Sequence, residues 1–163
     1  MRNHLAIGVA LVALASAAPA AQTKPDFSGT WTFDDSRSPS FATSDPRVSV
    51  HAQPVLGEAF TATQDDKTLT IKRAESQGTV FALDGSPSHN MVPSGSPGQP
   101  DVDTFSIVLW EGDKLVIAID SQGIHFTRSL QLQSDGALLV QQTAGTPGGA
   151  QTTVKSFYRK KAS

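Results

Sequence analysis

The chain has 163 residues, no cysteine, 13 Lys and Arg against 15 Asp and Glu, and a formal net charge of −2 at pH 7. The lack of cysteine excludes disulfides and thiolate chemistry, and the mild charge argues against nucleic acid or an anionic membrane as the partner. A chain of this length can bury about two-thirds of its unfolded surface, which is enough for a stable single domain.

The first twenty residues have the pattern of a secretory signal peptide. Arg2 precedes an apolar run over 5–15, and the Ala-Pro-Ala at 18–20 has small residues at both positions that a signal peptidase reads. Cleavage after Ala20 would leave residues 21–163 with a net charge of −3, from 12 basic and 15 acidic residues. Because the run is shorter than the about 20 residues of a membrane span, we expect no stable membrane insertion. The sequence therefore predicts export, to the periplasm or the extracellular medium.

The rest of the chain alternates apolar and polar residues with the two-residue period of β-strands and shows no helical period. Strands are predicted, in chain order, at 28–34, 48–53, 60–64, 68–73, 79–84, 103–110, 114–120, 124–133, 137–142 and 152–159. Turns rich in Asp, Gly and Ser join three pairs of them into hairpins, at 65–67, 111–113 and 134–136. In the second hairpin the alternation predicts six core residues: Phe105, Ile107, Leu109, Leu115, Ile117 and Ile119.

Successive hairpins with polar outer faces leave exposed edges unless the sheet closes on itself. The predicted fold of residues 21–163 is therefore one all-β domain, an antiparallel up-and-down β-barrel of eight to ten strands, with a two-sheet β-sandwich as the alternative. The segment 85–101 contains four prolines and exceeds the about 12 to 15 residues usual for a structureless connection. We interpret it as a flexible Pro/Gly/Ser-rich loop or as a flap over the barrel mouth.

The opening Asp26-Phe27-Ser28-Gly29-Thr30-Trp31 resembles the Gly-x-Trp start of the first strand in the calycin group, which includes the lipocalins. Gly29 permits close backbone approach, and Trp31 suits a large apolar plug at the end of a barrel, with one N–H to satisfy. Together with the segments 83–86, 98–100, 109–117 and 157–160, this opening looks like that of a group of exported bacterial proteins with a lipocalin-like domain.

This resemblance implies a lipocalin-like barrel and indicates the fold better than the function. In lipocalins an arginine near the last strand packs on the tryptophan. Arg159 is the positional candidate for that contact with Trp31, and Arg128 is the competitor.

Arg128 lies in the apolar register of its strand, in line with Phe126 and Leu130. A charge on the inner face must be paired or must meet a polar group. In one interpretation Arg128 anchors the carboxylate of a ligand in the barrel. In the other it is structural, either turned outward by a bulge or paired with an acid, for which the candidates are Asp103, Asp120 and Glu111.

No constellation of residues indicates catalysis or a metal. His51, His89 and His125 are isolated from one another, the first and last on outer strand faces and His89 in the loop. Asp101 and Asp103 share one face of an extended segment, which suits calcium binding, an acid/base pair or a solvated strand start. No Gly-x-Ser-x-Gly elbow or phosphate-binding loop is present. We expect no cofactor, no metal and no enzymatic activity.

Two functions remain open from the sequence. In the first, the barrel holds a small hydrophobic or amphipathic ligand against eight residues: Trp31, Phe33, Phe81, Phe105, Ile107, Ile117, Phe126 and Arg128. In the second, the same residues fill a solid core, and the barrel is a structural or protein-interaction domain of the cell envelope with a partner that the sequence does not identify. A cavity of at least about 300 Å³ would favour the first, and a large exposed apolar patch the second.

Overall fold

The structure, a computed structural model, describes residues 23–38, 54–74, 76–92, 100–145 and 151–162. The predicted signal peptide, the predicted strand at 48–53 and His51 lie outside these ranges. The described residues form ten β-strands, and no helix among them could cross a membrane. The strands are β1 Gly29–Phe33, β2 Ala59–Gln64, β3 Thr68–Arg73, β4 Thr79–Ala82, β5 Ser88–Val92, β6 Val102–Glu111, β7 Lys114–Ser121, β8 Ile124–Leu132, β9 Leu138–Gly145 and β10 Gln151–Lys160.

The ten strands form one antiparallel sheet in the order β4-β3-β2-β1-β10-β9-β8-β7-β6-β5. Except for β4 and β5, strands that follow one another in the chain pair with each other, and the pairing of β1 with β10 joins the two ends of the described chain. The sheet curls into a nearly closed up-and-down barrel in which β4 and β5 face each other. The predicted barrel is thereby confirmed over the two-sheet alternative.

The three predicted hairpins are confirmed as β2–β3, β6–β7 and β8–β9. The interpretation of 85–101 as one flexible loop is wrong in part, because β5 lies inside it. Five residues of this strand pair with β6, from Ser88 opposite Ser106 to Val92 opposite Val102. The free edge of the long strand β6 supplies backbone partners that the local composition does not reveal. Residues 93–99 lie outside the described ranges.

The prediction that Phe105, Ile107 and Leu109 belong to the core is wrong. Their side chains lie on the outer face and are 52%, 44% and 59% exposed. The physical reason is the length of the turn between β6 and β7. Glu111 pairs directly with Lys114, so the connection has two residues where three were predicted. A shift of one residue moves every side chain of a strand to the opposite face.

The inner face of β6 instead carries Thr104, Ser106, Val108 and Trp110. The prediction for β7 is confirmed, because its alternation buries three residues in the barrel: Leu115, Ile117 and Ile119. These residues are part of one continuous hydrophobic core. The core therefore contains two hydroxyl groups from β6 where large apolar side chains were predicted.

Trp31 is 1% exposed and donates its indole N–H to the carbonyl of Phe27, at 2.9 Å. This confirms the interpretation of Trp31 as a satisfied apolar plug. The predicted contact with Arg159 is wrong, since the cation over the Trp31 ring is Lys160, with Nζ 5.7 Å from the ring centroid. Lys160 is the β10 residue directly opposite Trp31. Arg159 points to the other face and binds Asp34 through two 2.6 Å contacts.

Candidate functional site

A cavity of about 120 Å³ lies inside the barrel. Its apolar wall comes from Leu56, Ile71, Phe81, Val92, Ile119 and Phe126. Its polar wall comes from Arg73, Thr79, Thr104, Ser121 and Arg128. The lining residues come from six strands, β3 to β8, and from the segment before β2, so that the site exists only in the closed barrel.

Arg128 is the charged group deepest in this cavity. Strand β8 pairs in unbroken register with β7 on one side and β9 on the other, so Arg128 lies directly opposite Ile117 and Gln142. The predicted bulge is therefore absent at this position. None of the acids considered as its partner binds it. Its Nη2 donates instead to the Gln142 side-chain oxygen, at 2.7 Å.

The guanidinium of Arg128 is incompletely satisfied. Its Nε is buried and has no hydrogen-bond partner among the described residues. Burial, and then the positive charge of Arg73, lower the pKa of Arg128 to about 10. The group still carries its charge at neutral pH, although no carboxylate is among the residues that line the cavity. A buried charge without a counter-ion is costly, and an anionic ligand would offset that cost.

Hydroxyl groups add hydrogen-bonding capacity on the same side of the barrel. Thr104 and Ser121 lie opposite each other on β6 and β7, with their hydroxyl oxygens 3.3 Å apart. Two residues further along β6, the buried Ser106 hydroxyl has no hydrogen-bond partner within the described ranges. The cavity thus combines a cationic and hydroxyl-bearing wall with an apolar one.

The structure brings together three of the eight predicted ligand-binding residues, since Phe81, Phe126 and Arg128 line the cavity. Trp31 and Ile117 are packed in the core away from it, and Phe33 is partly buried against that core. Phe105 and Ile107 lie outside the barrel for the reason of register given above.

Sequence analysis missed Arg73, Thr79 and Gln142. Arg73 is the last residue of β3, in the same alternate set as Leu69 and Ile71, and its place in the cavity lining was not predicted. A signal for Gln142 existed, because it follows Leu138 and Val140 at the two-residue spacing of an inward-facing series. Its meaning depends on the β8–β9 register, which places it opposite Arg128.

A second, larger groove of about 500 Å³ lies on the outer side of the barrel, across β6 to β10. Its floor has short side chains, with Ala118, Thr127 and Thr143 in adjacent positions on three paired strands. Phe105 and Ile107 form one wall. This groove shares Ile119 and Phe126 with the lining of the inner cavity, and one of its walls consists of residues that were predicted to fill the core.

His89 and His125 each lie beside a carboxylate on the surface. His125 is on the outer face as predicted, with Nδ1 3.0 Å from a carboxylate oxygen of Asp120. His89, predicted in a loop, lies on β5, where it contacts Asp103 at 2.5 Å and stacks on Phe105 with ring centroids 4.6 Å apart. Among the described residues no three His, Asp or Glu side chains converge on one point as metal ligands would.

No protein-family model and no curated protein matches the chain. Its barrel is similar to a crystal structure of a mutant of the fluorescent protein UnaG, with a TM-score of 0.51 and 22% sequence identity. The similarity covers 84% of this chain and 97% of that one. The likeness shows the fold alone, a nearly closed antiparallel up-and-down β-barrel. The resemblance to exported bacterial proteins stays a prediction.

Proposed function

We propose that the protein binds a small amphipathic acid, an aliphatic or aromatic carboxylate, in the cavity beside Arg128. The observation that carries this proposal is the guanidinium of Arg128, whose buried Nε has no partner in the described part of the chain and whose cavity contains no carboxylate. A carboxylate would supply the missing acceptor and the counter-charge at once. Hydrogen bonds between ionised partners are about twice as strong as neutral ones.

The rest of the lining supports an amphipathic ligand. Thr79, Thr104 and Ser121 lie on the polar wall and can bind a polar head group. Phe81, Ile119 and Phe126 line the apolar wall and would contact the apolar part of such a ligand. The barrel fold supports the same class of ligand, because small closed barrels such as those of the lipocalins can hold one small ligand. That the protein binds without catalysing a reaction stays a prediction from its sequence.

The test is native mass spectrometry of the protein with decanoate and with decanol, which share an alkyl chain and differ in charge. We expect decanoate to be retained and Arg128→Gln to weaken its binding by about tenfold or more, the equivalent of about 1.4 kcal/mol. Decanol binding should be the same in both proteins. Since decanol lacks the carboxylate, it separates the loss of a counter-charge from a general loss of structure.

Arg37→Gln is the matched control, because Arg37 pairs with Asp135 on the surface and lies outside the cavity lining. This substitution should leave decanoate binding unchanged. The proposal is contradicted if the parent protein retains no decanoate, or if Arg128→Gln retains it as well as the parent does.

A protein-interaction function is the second candidate, and the outer face of β6 favours it. Phe105, Ile107 and Leu109 are exposed at successive outward positions, beside the groove of about 500 Å³. A photo-crosslinking residue at position 107 should then capture one defined polypeptide in the native cells. The control position is Thr32, which is exposed on β1. Equal capture from both positions would argue against this function.

We further propose that the protein is exported and processed after Ala20, on the strength of the charged start, apolar run and Ala-Pro-Ala segment. The intact mass of the protein recovered from the periplasm or medium of the native cells decides this. A mass corresponding to residues 21–163 would support the proposal. Recovery of the uncleaved chain from the cytoplasm alone would contradict it.

A further inference from the structure

The barrel is closed between β4 and β5 by side chains in place of a backbone ladder. The Asn90 side chain accepts a hydrogen bond from the Val80 N–H at 2.8 Å and donates one to the Val80 carbonyl at 2.9 Å. The Ser88 hydroxyl accepts a hydrogen bond from the Ala82 N–H at 2.8 Å. We call this junction the seam, and it consists of β4, β5 and these three hydrogen bonds.

The seam differs from every other junction of adjacent strands in the described barrel. All the others are continuous antiparallel ladders, including the β1–β10 junction between the two ends of the chain. At the seam the strands instead depend on two short polar side chains of β5. The two strands are also short, with four and five residues. The seam is therefore the junction at which the wall can part with the fewest hydrogen bonds broken.

The seam is also a wall of the inner cavity. Thr79 and Phe81 on β4 and Val92 on β5 all line the cavity. Its volume of about 120 Å³ is below the about 300 Å³ at which pockets for organic ligands usually begin. A ligand of the proposed class must therefore widen the cavity, and the ladders on the other sides resist such widening.

We propose that the seam is the gate of the cavity, held shut by Asn90 and Ser88, and that the ligand is admitted as β4 and β5 separate. This inference rests on the proposed function for the identity of the ligand, but the opening of the seam does not itself require a ligand. Asn90 and Ser88 do not line the cavity. They should therefore govern the rates of uptake and release more than the affinity.

The opening is tested without ligand by amide hydrogen exchange within one strand. The amides of Val80 and Ala82 point to the seam, whereas that of Leu83 points to β3 and donates to the Lys67 carbonyl. Phe81 lies in the same alternate set as Leu83. We expect Val80 and Ala82 to exchange about tenfold faster or more than Phe81 and Leu83. Equal exchange of the two sets would overturn the proposal, because the seam would then open only when the neighbouring ladder of the sheet opens too.

The passage of ligand is tested by stopped-flow fluorescence with the anionic dye anilinonaphthalene sulfonate. Asn90→Ala combined with Ser88→Ala should raise the association and dissociation rates together, by about tenfold, while the dissociation constant stays within about twofold. The matched control is Ser129→Ala, which removes a hydroxyl from a strand paired on both sides. It should leave both rates unchanged.

Unchanged rates in the Asn90 and Ser88 variant would overturn the proposed gate. A changed dissociation constant with unchanged association would also overturn it, because these residues would then act on the bound state. Failure of the proposed function has a different signature. In that case the parent protein fails to bind the dye, or Arg128→Gln binds it equally well, and the exchange experiment alone still decides whether the seam opens.

Discussion

Two buried hydroxyl groups on the last strand hold the segment that leads into β2. Tyr158 and Ser156 are fully buried, and their oxygens accept hydrogen bonds from the backbone N–H groups of Leu56 and Val55, at 2.9 Å and 3.1 Å. Burial raises the pKa of Tyr158 to about 12, so the phenol is neutral at physiological pH. Since Leu56 lines the inner cavity, these bonds also position one of its walls.

We expect Tyr158→Phe to lower the free energy of unfolding by about 1 to 3 kcal/mol, because it leaves the buried Leu56 N–H without a partner. Urea denaturation of the two proteins measures the difference. Thr152→Ala, at an exposed position of the same strand, should stay within about 0.5 kcal/mol of the parent. Equal losses for the two variants would show that the Leu56 bond contributes nothing specific.

The Asp34–Arg159 pair leads to a prediction about how the free energy of unfolding depends on pH. The hydrogen bonds from Arg159, and the one from Ser36, hold the pKa of the buried Asp34 well below its usual range. A lowered folded-state pKa stabilises the protein above the ordinary carboxyl pKa of about 4, and that contribution is lost as the pH falls below it. The Arg159 side chain is 66% exposed, so we expect a modest effect of about 1 kcal/mol.

Asp34→Asn removes this titration. Between pH 7 and pH 3 the parent should therefore lose more of its unfolding free energy than the variant does, as measured by urea denaturation at both values. The same loss in both proteins would mean that other carboxylates account for the pH dependence.

At the scale of elements, β6 shows how a single turn decides which residues face the barrel interior. Both alternate sets of β6 contain apolar residues, so its own pattern is compatible with either face. The direct pairing of Glu111 with Lys114 selects the set that contains Val108 for the core. The exposed set, with Ile107, then becomes the wall of the outer groove.

This assignment predicts opposite effects for two adjacent residues. Ile107→Lys should change the free energy of unfolding by less than about 0.5 kcal/mol, because the side chain is 44% exposed. Val108→Lys places a charge at a site that is 2% exposed and should cost more than about 3 kcal/mol. Thermal unfolding followed by circular dichroism compares the two. The reverse order of effects would instead support a three-residue turn, with the face of β6 that contains Ile107 buried.

At the scale of the whole molecule, closure joins the two ends of the described chain. Strand β1 pairs with β10, with Trp31 opposite Lys160 and Phe33 opposite Tyr158. The junction continues past the strands, because the Lys161 N–H donates to the Thr30 carbonyl at 2.8 Å. The first half of the sheet is thus attached to the second half through β10 and, more weakly, through the seam.

Deletion of residues 157–163 should abolish cooperative folding. It removes the β1–β10 ladder and the buried Tyr158, and so exposes two strand edges within the barrel. We expect the deletion to remove most of the free energy of unfolding, which is about 5 to 15 kcal/mol for a typical domain. Deletion of 162–163 is the control and should leave the thermal transition in place. A cooperative transition in the longer deletion would show that β10 is dispensable for closure.

The sequence by itself determined nine of the ten described strands, three of the hairpins, the all-β barrel and the packing role of Trp31. These features follow from local periods and turn residues, which act over a few positions. Only the tertiary structure decided that β5 exists, which face of β6 is buried, and that Arg128 binds Gln142 and not an acid. Each of these depends on the register between strands, and register is set by backbone pairing and closure across the whole barrel.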